Sequence, residues 1–257
     1  MIHRVLAPNP GMMTGAGTNT YVVDGGTGTV AVVDPGPDDD RHLDAIAAAA
    51  APLGRITMIL VTHGHADHLP AAFPLARRTG GVVLGHRLLP GVQRTLREGD
   101  VVELGRYHLE ALETPGHTDD SLCYWDAGTQ ALFTGDLIAG AGTVIVDDAP
   151  GGLGKYMRSL DRLRGMGATH LYPGHGPSQS DGLAKVEEYW RHRMGREGQI
   201  LAALAAGSAD VEVLVQQLYT ETPRELLGMA ARNVRAHLDK LRDENRVERE
   251  GSRWRLT

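Results

Sequence analysis

Ile56 to Val61 is a run of strand length, continuously apolar but for Thr57, and a single threonine separates it from the hexapeptide His63-Gly64-His65-Ala66-Asp67-His68. A run without polar alternation suits a strand buried on both faces. The hexapeptide therefore sits at the C-terminal end of an interior strand. Three imidazoles and a carboxylate packed this closely repel or waste their polarity unless a cation holds them together. Neutral imidazole nitrogens and carboxylate oxygens are the usual ligands of zinc and its first-row neighbours. A chain of this kind has to fold so that an interior strand delivers a metal site to its own edge.

Three further candidate ligands arrive flanked by glycine: Pro115-Gly116-His117, Thr134-Gly135-Asp136 and Pro173-Gly174-His175. Each follows a predicted strand, and glycine lets a loop turn sharply and approach a metal closely. His3, His42, His86, His108, His170, His192 and His237 lie outside these motifs and read as surface or satisfied core residues.

The surrounding pattern is mixed α/β. Strands are predicted at Thr20 to Asp24 and Val30 to Asp34 around a glycine-rich turn, with a helix from Arg41 to Ala51 started by the carboxylates Asp38 to Asp40. Pro70 opens a helix toward Arg78, and a strand follows at Val82 to Gly85. Further strands are predicted at Tyr107 to Glu113, Ser121 to Trp125, Ala131 to Thr134 and His170 to Tyr172, with a helix at Tyr156 to Arg164. From about Asp181 the texture becomes a long helical stretch, which starts a second unit. Thr222-Pro223-Arg224-Glu225 reads as a capping box, Val234, Leu238 and Leu241 form a helical stripe, and Val247 to Glu250 and Arg253 to Leu256 are short strands. Helix, helix and a two-stranded wing outline a winged-helix unit; a plain helical oligomerisation tail, giving a homodimer contact, is the alternative.

The 257 residues, 42% hydrophobic and 23% charged, fit a soluble globular protein. No apolar stretch long enough to span a membrane and no apolar leader segment occur, so a cytoplasmic protein is expected, with no membrane partner. Cys123 is the only cysteine, which excludes an intramolecular disulfide and a cysteine metal cluster. It reads as a small buried hydrophobe. The net charge of -6 lies entirely in residues 1 to 186, because from Glu187 onward 12 Arg and Lys face 12 Asp and Glu. A neutral tail and an acidic main unit argue mildly against binding nucleic acid over the whole surface.

The HxHxDH hexapeptide followed by Gly-His, Gly-Asp and Gly-His after successive strands resembles the metallo-β-lactamase superfamily. The resemblance implies an αββα sandwich over residues 1 to 180 and a winged-helix-like, α-rich unit over 181 to 257. It also implies that His63, His65 and His117 bind one divalent ion, that Asp67, His68 and His175 bind a second, and that Asp136 bridges them. The two ions would most simply be zinc, with manganese or iron also compatible with such ligands. In this picture Asp67 is also catalytic, orienting a metal-bridging hydroxide that attacks the substrate. Structural zinc sites usually close with four ligands, so seven ligands over two ions favour catalysis.

Asp136 stands where the commonest true β-lactamases of this fold carry a cysteine, which disfavours antibiotic hydrolysis. Leu69-Pro70-Ala71-Ala72 replaces a Gly-Gly pair common in relatives, and the small alanines are expected to preserve close packing. Gly17 to Tyr21, the segments around His117, Asp136 and His175, and the tail from His192 through Ile200 to Leu241 look like the β-lactamase-like protein 2 group. That resemblance implies cleavage of phosphodiester bonds in single-stranded RNA, with tail cations such as Arg224, Arg232, Arg235, Lys240 and Arg249 on the phosphates. A small-molecule acyl hydrolase, a thioesterase or lactonase, uses the same chemistry on a carbonyl. A winged-helix nucleic-acid-binding regulator with a metal-binding sensor domain is the reading from another class.

Overall fold

The computed structural model describes residues 1–146 and 151–257. Strands β1 (Ile2–Leu6), β2 (Asn19–Asp24), β3 (Thr29–Val33), β4 (Arg55–Leu60), β5 (Val82–His86) and β6 (Arg94–Leu96) lie side by side in chain order as one sheet. The first three are antiparallel, and from β3 onward neighbours run parallel. Helices α1 (Asp40–Ala50) and α2 (Ala72–Thr79) supply the crossovers that parallel pairing requires. The second sheet holds β7 (Val101–Leu104), β8 (Tyr107–Glu113), β9 (Leu122–Asp126), β10 (Ala131–Gly135) and β11 (His170–Pro173). It is an antiparallel meander except for the parallel pair β10 and β11, joined through α3 (Gly152–Arg164).

The side-chain period of two sorts the strand residues into layers. In β4, Ile59 packs with Leu43, Ile46 and Leu75 of the helices covering the first sheet. Leu60, one residue on, turns into the space between the sheets with Tyr124 and Phe133. The apolar run of this strand thus has its expected cause. On the far face of the second sheet Leu112, Cys123 and Leu132 meet Tyr156, Leu160 and Leu163 of α3. Burial pushes the Cys123 thiol up to about 12, so it serves packing and not nucleophilic chemistry. The layers run α, β, β, α.

Helix α4 (Gly182–Ala205) begins where the sequence texture changes, and it belongs to two cores. Val186 and Tyr189 complete the cluster under α3. Ile200 and Leu204 pack instead with α5 (Val211–Leu218), α6 (Leu227–Asp243) and Trp254 of the wing formed by β12 (Val247–Glu250) and β13 (Arg253–Leu256).

Several local expectations are corrected. α2 starts at Ala72, so Pro74 and not Pro70 occupies its first turn, where a missing N–H costs no helical bond. Thr222 forms no capping box, because Arg224–Leu226 is a 3-10 turn without a side-chain cap. The short strands β1, β6 and β7 carry weak patterns of their own. α5 has no counterpart in the sequence pattern either: its valines favour strands in isolation, and Asp210, accepting from the Val213 N–H at 2.9 Å, starts the helix. Among the described residues no helix is long and apolar enough to cross a membrane.

His237 on α6 departs from the satisfied-core expectation, since it is 1% exposed and neither ring nitrogen has a partner. Burial, then the charges of Arg193 and Lys240, lowers its pKa to about 3. An unfolded histidine titrates near 6.5. The folded state therefore binds fewer protons, and the stability held above that value is lost as pH falls toward 3. At pH 5 the loss from this residue amounts to about 2 kcal/mol relative to pH 7. In urea unfolding, the stability difference between the two pH values should be smaller by this amount in His237→Leu than in the wild type.

Candidate metal centre

All seven predicted ligands converge on the edge where the two sheets meet. The His63 to His68 segment leaves the end of β4, His117 lies just beyond β8, Asp136 follows β10 directly, and His175 follows β11 by two residues. The edge is stitched together across the sheets. The Leu122 N–H donates to the Thr62 carbonyl at 2.8 Å, the Tyr124 hydroxyl to the Val61 carbonyl at 2.7 Å, and the Asn19 N–H to the Gly174 carbonyl at 2.7 Å. Two glycines permit the approach. A Cβ on Gly174 would lie 2.4 Å from Asp136 Oδ1 and 2.6 Å from His68. Gly116, at φ 138°, lies so close to Tyr156 that a Cβ would meet its Cα at 2.4 Å.

The ligand atoms form two groups, each within 4.8 Å across: His63, His65, His117 and Asp136, and Asp67, His68, Asp136 and His175. Asp136 belongs to both. Its Oδ2 lies 3.2 Å from His175 Nε2 and 3.7 Å from His117 Nε2, while Oδ1 lies 3.4 Å from His68 Nε2.

Backbone and side-chain partners set the tautomers. His117 Nδ1–H donates to the Ile145 carbonyl at 2.8 Å and His175 Nδ1–H to the Gly17 carbonyl at 3.3 Å. His68 Nδ1–H donates to Asp34 Oδ2 at 2.9 Å. The Thr62 hydroxyl donates to the same oxygen at 2.7 Å, and so accepts from His63 Nδ1–H at 3.0 Å. Each of these four rings then turns its Nε2 into the site, where the neutral ring offers a lone pair to a metal. His63 Nε2 and His65 Nδ1 stand 3.0 Å apart, His65 Nδ1 and His117 Nε2 3.1 Å, and His68 and His175 Nε2 3.4 Å. Converging ring nitrogens, with buried Asp136 Oδ1 short of a well-formed hydrogen bond, are the environment a divalent cation satisfies. The donor set fits two such ions.

The charges agree. Burial opposes ionisation of Asp136, but the charge of His68 and hydrogen bonds from His175 and His68 outweigh it and hold the carboxyl well below its usual range. Asp67 is likewise held low against burial, by His175 and His68. Burial pulls His63 and His117 down. For His175, burial is outweighed by hydrogen bonds to Asp136 and Asp67, and the pKa rises to about 9.

Asp34 is the functional residue that sequence reasoning missed. It is 2% exposed, has φ 50°, and its Oδ1 accepts from the Thr62 N–H at 2.7 Å while Oδ2 takes the Thr62 hydroxyl and His68. Thr18 was missed too, and its hydroxyl donates to Asp67 Oδ2 at 3.0 Å. Asp34 ends a predicted strand before a Pro-Gly turn, and a buried acid at such a place was the available signal. The segment Leu69 to Ala72 packs as expected, with Ala71 and Ala72 fully buried against Leu43 and Ile59.

Replacing Asp34 with Asn should weaken metal binding by about 10- to 100-fold, as loss of a ligand-orienting carboxylate typically does; metal retention in competition with a chelator measures it. Binding also has to displace the His175 proton. Below pH 9 affinity should then fall as pH falls. Calorimetry at pH 7.5 in buffers of different ionisation enthalpy should register about one proton released from this residue.

Residues 13–175 match the Metallo-beta-lactamase superfamily, and residues 211–254 match the Beta-lactamase associated winged helix domain. The chain is 32% identical to a Beta-lactamase-like protein 2 homolog of Caenorhabditis elegans, over 96% of this chain and 86% of that protein. It is 34% identical to an Atrochrysone carboxyl ACP thioesterase of Aspergillus chevalieri, over 87% of this chain and 74% of that one. A crystal structure of a metallo-beta-lactamase family protein from Thermus thermophilus superposes with a TM-score of 0.80 at 24% identity, covering 100% of this chain and 98% of the other. On its sheets, its converging ligands and these similarities, the chain belongs to the metallo-beta-lactamase superfamily of hydrolytic enzymes and carries that family's associated winged helix domain.

Proposed function

We propose that residues 1 to 180 form the catalytic unit of a two-metal hydrolase that cleaves an acyl ester or thioester, and that residues 181 to 257 wall its cleft. His63, His65 and His117 would hold one cation, Asp67, His68 and His175 the other, and Asp136 would serve both. Two divalent cations bound there supply Lewis acidity and a nucleophile at neutral pH. Asp67 accepts from the Thr18 hydroxyl at 3.0 Å, which fixes its carboxylate at the metal edge with Oδ2 3.1 Å from His175 Nε2. From there it orients the attacking group and moves a proton toward the leaving thiol or alcohol.

The observation that carries the carbonyl reading is how four of the tail's cations, clustered on its helix and wing, are spent. Lys240 bonds Glu197 at 2.7 Å, Arg242 bonds Asp239 at 2.9 Å, Arg246 bonds Glu197 at 2.8 Å and Arg255 bonds Glu248 at 2.8 Å. Cations neutralised within the protein have little left for phosphates, on which affinity for nucleic acid depends. The relative named a thioesterase supports the same reading. The same neutralisation weighs against a regulator reading nucleic acid through its winged helix. Cleavage of single-stranded RNA is the second reading, supported by the similarity along the chain to Beta-lactamase-like protein 2 homologs.

A panel of thioesters, lactones and single-stranded RNA, run beside metal quantification, separates the two. Thioester or lactone turnover is expected, with Asp67→Asn lowering kcat by about 100-fold or more and His68→Ala losing activity together with metal. RNA cleavage abolished by both variants, without acyl turnover, would overturn the carbonyl reading.

A further inference from the structure

A groove of about 330 Å³, lined mostly by apolar side chains, runs between the catalytic unit and the tail. Its walls come from three parts of the chain: Met12 and Met13 of the N-terminal loop, Val144 and Ile145, and Tyr219 and Met229 of the tail. Both non-tail walls are tied directly to the metal centre. The Ile145 carbonyl holds His117 Nδ1–H at 2.8 Å. The loop carrying the methionines is closed by a bridge between Gly11 and Gly15 and returns to Thr18, whose hydroxyl holds Asp67. Met12 and Met13 are 75% and 57% exposed, although they line the groove. Water-exposed methionines on the wall of an apolar groove suit a ligand that repacks them, since the side chain is flexible and polarisable.

The floor is rigid. Arg193, 2% exposed, donates to Asn233 Oδ1 at 2.8 Å and to the Val144 carbonyl at 2.6 Å, and its guanidinium lies 5.2 Å from the centre of the Tyr156 ring. Asn233 in turn donates to the Tyr219 hydroxyl at 2.8 Å. The polar groups at the base are thus bonded to one another, and the apolar walls are left for a ligand.

We infer that this groove is the subsite for the acyl chain of the substrate, and that Met12, Met13 and Met229 set chain-length preference. The inference rests on the acyl-hydrolase reading above. At about the 30 Å³ a water molecule takes in the liquid for each non-hydrogen atom, the volume accommodates roughly ten of them, room for an unbranched acyl chain of about eight carbons whose thioester head lies outside the groove. A shorter chain leaves the walls wet, and a phosphodiester backbone meets no cation there that is not already bonded at the floor or elsewhere.

The test pairs turnover with binding. Acetyl, butyryl, hexanoyl and octanoyl thioesters of N-acetylcysteamine are assayed in the metal-loaded wild type and in Met229→Trp, which fills the groove. Met12→Ser/Met13→Ser strips one wall at exposed positions where folding is not at stake. The hydrolysis-resistant thioether S-octyl-N-acetylcysteamine is titrated into each by calorimetry. The wild type should favour octanoyl over acetyl by on the order of a hundredfold in kcat/KM, less than full burial of six methylenes would give because the groove is open on one side. Both variants should lose about tenfold or more in the octanoyl-to-acetyl ratio of kcat/KM and bind the thioether correspondingly more weakly. Thioester turnover without chain-length preference, together with thioether binding that neither variant changes, overturns the groove and leaves the hydrolase reading standing. Variant-sensitive binding of the thioether without turnover of any thioester keeps the groove and overturns the hydrolase reading.

Discussion

A buried carboxylate holds the metal edge in register. Asp34 follows β3 directly, in the left-handed backbone region, which costs a non-glycine residue of order 1 kcal/mol or more. Burying its charge costs more still unless the charge is met by donors. Three are supplied, by the Thr62 N–H, the Thr62 hydroxyl and His68 Nδ1–H, all from the strand end and hexapeptide that follow β4. The Thr20 hydroxyl also donates to the Asp34 carbonyl at 2.6 Å, and His42 backs that hydroxyl at 2.8 Å. One anion thereby locks β2, β3 and β4 together and fixes which nitrogen of His68 faces the site. It also fixes His63 through the shared Thr62 hydroxyl. The direction of the ligands is a property of the sheet and not of the hexapeptide alone.

This division explains what the sequence revealed. The ligands themselves were legible, because imidazoles and carboxylates flanked by glycine at strand ends mark a metal site locally. The layer order followed from strand-length apolar runs and from the family resemblance. The groups that aim the ligands were not legible. Asp34 lies far along the chain from His68, and two of the aiming acceptors are the carbonyls of Gly17 and Ile145, which leave no trace in residue type. α5 escaped for a similar reason, since its valines become helical only when Leu214 and Val215 find Ile200 and Leu238. The wing was legible because each strand is short and the turn between them is Gly251-Ser252.

The tail reaches the metal edge through α4. Tyr189 receives the Ala139 N–H at 3.1 Å and donates to its carbonyl at 3.2 Å, and Arg193 holds the Val144 carbonyl. Glu197, 3% exposed at its side chain, draws in Lys240 of α6 and Arg246 before the wing. A buried carboxylate met by two cations is costly to break by removing one partner. It pins the second core to the same helix that borders the first.

One helix passing unbroken through two cores has a consequence for how the molecule comes apart. Melting the C-terminal core would release the end of α4 that carries Ile200 and Leu204 and fray the helix toward Tyr189 and Arg193. Loss of the sandwich would strip the other end of its support. Neither unit has a complete set of neighbours without the other. The catalytic sandwich and the winged helix are therefore coupled in stability, and heating should take them through a single cooperative transition and not two.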